Sequence, residues 1–139
     1  MALRNSLWLF VILAGCSGPA YQTTPTTGVV MQNGQPMAGI DVQFCPDPEA
    51  ATKGPTSLGE TDEQGRFTLR YAEPGATVSK EGAVIGWHKV TLADLRQKPA
   101  PQGSPPNPSR IPKDFGGVHS TPLKVEVKEG GGPLTLEVK

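Results

Sequence analysis

Residues 61–71 read Thr-Asp-Glu-Gln-Gly-Arg-Phe-Thr-Leu-Arg-Tyr, a tight-turn signal followed at once by a strict two-residue alternation. Asp62 is placed to bond back to the backbone, and Gly65 is free to take the left-handed conformation such a turn needs. Phe67, Leu69 and Tyr71 then share one side of an extended strand, and Arg66, Thr68 and Arg70 the other. A period of two suits a half-buried strand and no helix. The pattern recurs along the chain. Val29-Val30-Met31 runs into Asn33-Gly34, the strongest short hairpin signal. Ile40, Val42 and Phe44 alternate with Asp41 and Gln43 until Pro46-Asp47-Pro48 stops the run. Leu123, Val125 and Val127 alternate with charged residues; past Gly130-Gly131-Gly132 come Leu134, Leu136 and Val138, so a closing hairpin is predicted.

Composition excludes the competing architectures. With 17 glycines and 15 prolines in 139 residues, long helices, and hence bundles and coiled coils, are ruled out. The glycines show no three-residue period, which removes collagen. A 36% hydrophobic share with zero formal net charge fits one small folded domain rather than an expanded disordered chain. Without a basic excess there is no nucleic-acid footprint. Six or seven strands with regular turn signals predict an all-β fold, a single antiparallel β-sandwich.

Within that frame residues 84–92 read as a longer strand. Ile85 and Trp87 face the core, His88 faces solvent, and a bulge shifts the phase before Val90 and Leu92. Residues 96–112 hold Pro99, Pro101, Pro105, Pro106, Pro108 and Pro112, which forbids regular pairing and predicts an exposed loop of extended polyproline segments. Such a loop either recruits a partner with an aromatic groove or varies as plain surface.

Candidate chemistry is sparse. There is no Gly-x-Ser-x-Gly or Ser-x-x-Lys, and His88 and His119 are far apart with no Cys-x-x-Cys. No catalytic residue, metal or cofactor is assigned. Asp62 and Glu63 give too few carboxylates for a calcium loop, so Asp62 is read as a turn residue. Trp87 and Tyr71 would make a carbohydrate-stacking platform only if both faced outward; the alternation assigns them to the core. Cys45 is read as a small semi-buried apolar residue at a strand end, the alternative being a thiol that joins two chains.

Residues 1–15 stand apart. Arg4 is their only charged side chain, and the apolar run from Leu7 to Leu13 is too short to span a bilayer, so a signal peptide is predicted. Leu13-Ala14-Gly15-Cys16 resembles the lipobox of bacterial lipoproteins. That resemblance implies cleavage before Cys16, acylation of Cys16 with palmitate-type chains, and a lipid anchor in the cell membrane or outer membrane. Ser17 is similar to the residue that permits outer-membrane export. Residues 16–26 would then form a lipidated, flexible tether carrying the domain into the periplasm or to the cell surface.

The turns and strands of 27–139 together resemble the transthyretin-like, or carboxypeptidase regulatory-like, domain of small bacterial lipoproteins. The residues concerned are Gly28-Val29-Val30, Asn33-Gly34-Gln35-Pro36, Ala38 to Phe44, Thr61 to Phe67, Gly86 to Leu92, and Ile111-Pro112-Lys113-Asp114-Phe115 with Ser120 to Val127. The resemblance implies a seven-stranded prealbumin-like sandwich, Ig-like in architecture and without catalytic residues. It would serve as a non-catalytic binding or scaffold module with an envelope protein or a carbohydrate as partner. The alternative it raises is a small hydrolase akin to hydroxyisourate-processing relatives of transthyretin, which end in Tyr-Arg-Gly-Ser. This chain ends in Leu136-Glu137-Val138-Lys139 and lacks that motif.

Overall fold

A computed structural model describes residues 20–139. The signal segment 1–15, Cys16 and the start of the tether lie outside the described residues. In chain order the strands are β1 (Thr23–Thr24), β2 (Thr27–Gln32), β3 (Gln35–Pro36), β4 (Ile40–Pro46), β5 (Ser57–Glu60), β6 (Arg66–Thr68), β7 (Arg70–Tyr71), β8 (Lys80–Glu81), β9 (Ala83–Val84), β10 (Gly86–Asp94), β11 (Lys124–Val127) and β12 (Leu134–Val138). The helical elements among the described residues are two single-turn 3-10 helices, Pro48–Ala50 and Lys113–Gly116. No helix there is long and apolar enough to cross a membrane.

The fold is all-β and sandwich-like. A larger sheet runs β11-β10-β4-β5-β7-β8; a smaller one is built on β2, with β12 on one edge and β3 and β6 on the other. Their inward side chains merge into one core: Ile40, Val42, Phe44, Val90 and Leu92 from the larger sheet meet Val30, Phe67, Leu136 and Val138 from the smaller. Phe44 and Phe67 meet across the layers with ring centroids 6.2 Å apart. The alternation on β4 and through residues 67–71 therefore points inward as expected, Tyr71 included.

The strand pairings depart from the sequence reading in four places. First, β11 and β12 are not a hairpin. β11 lies antiparallel to β10, whereas β12 crosses to the smaller sheet and runs parallel to β2, from Leu134 beside Gly28 to Val138 beside Gln32. Alternation fixes which face is buried but not which strand is the neighbour, so the glycine-rich connection was silent on the crossing and the sheets are not purely antiparallel. Second, the alternating run after Gly65 changes sheet part-way: β6 pairs with β2 and β7 with β5. Leu69 bridges the break, its amide donating to the Thr26 carbonyl at 2.9 Å.

Third, the phase change on the long strand lies at Gly86, not between Trp87 and Val90. Gly86 has φ +133°, a conformation that favours glycine, and a Cβ there would stand 2.8 Å from Thr52 Oγ1. From this point Val90 and Leu92 set the register, so His88 points into the core with no exposure, while Trp87 is 40% exposed on the opposite face. The sequence reading had these two reversed. Fourth, the folded part begins before residue 27. β1 pairs with β9, and Thr24 and Thr26 are buried, so the end of the expected tether is packed into the domain.

The turn signals hold locally. Asn33 and Gly34 have φ of 51° and 76°, as a two-residue hairpin needs, although they join β2 only to the short β3. Asp62 Oδ1 accepts the amides of Gln64 and Arg66, both at 2.9 Å, so its carboxylate serves the turn.

Candidate functional site

On β4 the inward set Ile40, Val42 and Phe44 leaves Asp41, Gln43 and Cys45 on the outer face of the larger sheet. Register then aligns Lys89 of β10 with Cys45 on one side and Lys124 of β11 on the other, and sets Trp87 opposite Glu126. Two lysines directly opposite one another repel. The chain answers this with Asp47, immediately past the end of β4.

Asp47 caps the 3-10 helix Pro48–Ala50: Oδ1 accepts the Glu49 amide at 3.1 Å, and Pro48 occupies the first helical position, where no amide donor is needed. Its own amide donates to the Trp87 carbonyl at 3.0 Å, and its carbonyl accepts Thr52 N at 3.0 Å. The carboxylate is thereby fixed with its side chain 0% exposed, and Oδ2 meets Lys124 Nζ at 3.1 Å as an ion pair without hydrogen-bond alignment. The same ammonium lies 5.6 Å from the centroid of the Trp87 ring, within cation–π range. Lys89 Nζ stands 4.0 Å from Glu49 Oε2.

Burial alone would raise the Asp47 carboxyl; the Lys124 ammonium and the Glu49 amide, with Lys89 behind them, outweigh it and hold the group below the ordinary carboxylate value. Cys45 goes the other way: burial pushes its thiol up, and a contact to the Thr56 side chain opposes this only in part. A thiol so placed stays protonated near neutral pH, and it is the thiolate that is nucleophilic. The cluster thus offers a half-exposed indole with a fixed cation beside it, rimmed by Glu49 and Glu126. It is suited to recognition by stacking and charge rather than to bond-breaking.

Of the residues singled out from sequence, Cys45 and Trp87 come together here, Cys45 directly across from Lys89 and Trp87 two residues before it on β10. Tyr71 is in the core, its hydroxyl 3.1 Å from Thr23 Oγ1. The two aromatic side chains therefore do not form a shared platform. His88 is buried, His119 is exposed on a separate turn, and Glu63 pairs with Arg96 at 2.6 Å. Cys16 lies outside the described residues. Among the described residues no three His, Cys, Asp or Glu side chains gather as a metal would need.

Sequence reasoning missed Asp47, Lys89 and Lys124. The available signal was Asp47 standing between two prolines directly after a strand, a helix-capping position; its pairing with Lys124 spans too much sequence for any local pattern. No family model, no curated protein and no solved structure matches the chain.

Proposed function

We propose that the chain is an envelope lipoprotein, anchored through acylated Cys16, whose β domain acts as a non-catalytic binding or scaffold module. The observation that carries the binding role is the arrangement of Trp87, Lys124 and Asp47: a buried carboxylate holds a cation beside a half-exposed indole on the open face of a sheet. The protonated thiol of Cys45 and the buried imidazole of His88 argue against a nucleophile or general base working at this face.

Taking residues 66–71 and 83–94 each as one interrupted strand, and β1, β3 and β8 as short additions, leaves seven principal strands. That count supports a transthyretin-like sandwich, and so does the order of the Asn33-Gly34, Asp62–Gly65 and Gly86 turns.

The anchor is tested by fractionation. The full chain is expected in the membrane pellet after carbonate washing and Cys16→Ser in the supernatant; a Cys16→Ser chain that stays in the pellet rejects acyl anchoring. The binding role is tested with a photoreactive benzophenone side chain in place of Leu58, which is 49% exposed on the same outer face. Adducts formed in intact cells and lost on adding Trp87→Ala are the expected result. No adduct, or adducts indifferent to Trp87, rejects the site.

A further inference from the structure

The proline-rich connection between β10 and β11 is held rather than loose. Asp94 ends β10 with its side chain only 2% exposed, and Arg110 grips it from the far end of the loop. Arg110 Nη2 donates to Oδ1 at 2.6 Å and Nε to Oδ2 at 3.0 Å, a two-pronged pair; the backbone amides of Arg96 and Arg110 add 3.0 Å bonds to the same carboxylate. Arg110 Nη2 also donates to the Ala38 carbonyl at 2.9 Å. A second clamp lies further out: Asn107 Nδ2 donates to the Lys98 carbonyl at 2.7 Å, and Gln97 Nε2 donates to the Asn107 carbonyl at 2.6 Å. At the tip, Ser104 N donates to the Pro101 carbonyl at 3.0 Å, with Gly103 at φ +85° completing the turn.

All this order supports no core. Pro99, Pro101, Pro105, Pro106 and Pro108 are exposed, and the chain re-enters the apolar interior only at Ile111. Asn107 is half-buried with its amide and carbonyl turned into the clamp, so Pro105, Pro106 and Pro108 are left on the solvent side. Pro105 and Pro108 are three residues apart, the spacing of one polyproline II turn, in which two prolines would share a single edge. Fixed proline φ and a clamped base remove most of the ordering entropy that a docking segment loses on binding. We propose that Pro105–Pro108, presented on this clamped loop, is the docking element for a partner protein whose groove is lined with aromatic side chains. The proposal rests on reading the domain as a binding module and names the class of partner.

The test uses the full chain in intact cells, with the benzophenone side chain in place of either Ser104 or Leu58. The expected result is a protein adduct from Ser104. The adduct partner, once identified and purified, binds the detergent-solubilised chain at least about tenfold more weakly when Pro105→Ala and Pro108→Ala are combined, and equally well with Pro74→Ala, an exposed proline in another loop. Because these prolines pack against no core residue, the double variant keeps its melting temperature. No Ser104 adduct, a polysaccharide adduct, or an affinity indifferent to the two prolines overturns the proposal. Adducts from Leu58 alone overturn the docking loop and leave the module reading standing; adducts from neither position remove both.

Discussion

His88 Nε2 lies 2.7 Å from the carbonyl oxygen of Val84, and the imidazole that makes this contact is fully buried. A carbonyl only accepts, so Nε2 carries the proton and Nδ1, which has no hydrogen-bond partner, is bare. A second proton would place a charge in the core beside the Phe44 ring, whose centroid is 5.6 Å away. Burial therefore holds His88 below its ordinary value of 6.5, with the backbone contacts to Val84 and Phe44 opposing in part. The unfolded chain takes up this proton as pH falls through about 6.5 while the folded chain refuses it, so stability is full above that pH and declines below it. Urea midpoints should drop from pH 7 to pH 5, and His88→Phe should flatten that slope, at a loss of about 1 kcal/mol at pH 8 for the missing Val84 bond. An unchanged slope in His88→Phe rules the histidine out as its source.

The Asp94–Arg110 pair titrates in a separate window. Arg110, set against the partial burial of the site and aided by the Arg110 and Arg96 amides, holds the Asp94 carboxyl at about 2, against an ordinary 3.8. A depressed folded-state value contributes stability that is complete above about pH 4 and is lost as pH falls toward 2. Arg110→Ala strips a buried carboxylate of its partner. With discount for the exposed guanidinium, the expected loss at pH 7 is on the order of 1–2 kcal/mol in urea unfolding. Asp94→Asn should reduce the acid slope between pH 4 and pH 2, which the depressed Asp47 carboxyl shares, while leaving the His88 slope at pH 5–7 intact. Loss of both slopes together would refute the assignment of each to its own residue.

What the sequence made legible was local. The period of two in Ile40–Phe44 and Phe67–Tyr71 set the buried faces correctly, and Asn33-Gly34 and Asp62–Gly65 turn as their side chains and φ requirements dictate. Partner choice between strands was not legible, because Leu136 and Val138 alternate identically whether β12 folds back on β11 or crosses to lie parallel with β2. The exchange of Trp87 and His88 has one cause. Hydrophobicity ranks tryptophan as the core residue, but Val90 and Leu92 hold the phase of β10, and Gly86 absorbs the mismatch. The Asp47–Lys124 pair joins residues from distant parts of the chain, brought together only by the register of β10 with both its neighbours.

Lys124 couples this register to an optical signal. From residue 16 onward Trp87 is the only tryptophan, so its fluorescence reports the site without interference. Lys124→Met removes a cation–π contact worth about 0.5–1 kcal/mol and leaves the buried Asp47 carboxylate without its counter-ion. The expected outcome is a shifted Trp87 emission, readier acrylamide quenching, and a fall in melting temperature that is full at pH 7 and diminishes in acid as the Asp47 carboxylate takes up its proton. Emission identical to the parent chain would show that the ammonium does not sit at the ring.

Cys45 should behave as an inert thiol despite having Lys89 as its neighbour across the strand. Its burial raises the thiol above the ordinary 9.0, so the thiolate fraction at pH 7.5 is small. Maleimide labelling of the folded chain is expected to be slow at that pH and to accelerate on unfolding in urea, and non-reducing gels should show monomer. A Cys45-dependent dimer, abolished by Cys45→Ser, would favour the interchain thiol instead.

Gly28 tests the unexpected parallel pairing of β2 with β12. A Cβ at this position would stand 2.5 Å from Phe67 Cζ and 2.6 Å from the Leu134 carbonyl oxygen, so an added methyl meets a core ring on one side and the partner strand's backbone on the other. The ring can yield only by swinging about χ1, since Cζ lies on its flip axis, and the Leu134 carbonyl is held by the ladder. Gly28→Ala should therefore cost about 2–3 kcal/mol in urea unfolding, in the range of overpacked cores. Gly34→Ala, with nothing within 4 Å of its Cβ but φ at +76°, should cost only the backbone strain of about 1 kcal/mol. If β12 instead folded back on β11, only the Phe67 ring would stand in the way of the new methyl, and Gly28→Ala would cost clearly less than about 2 kcal/mol.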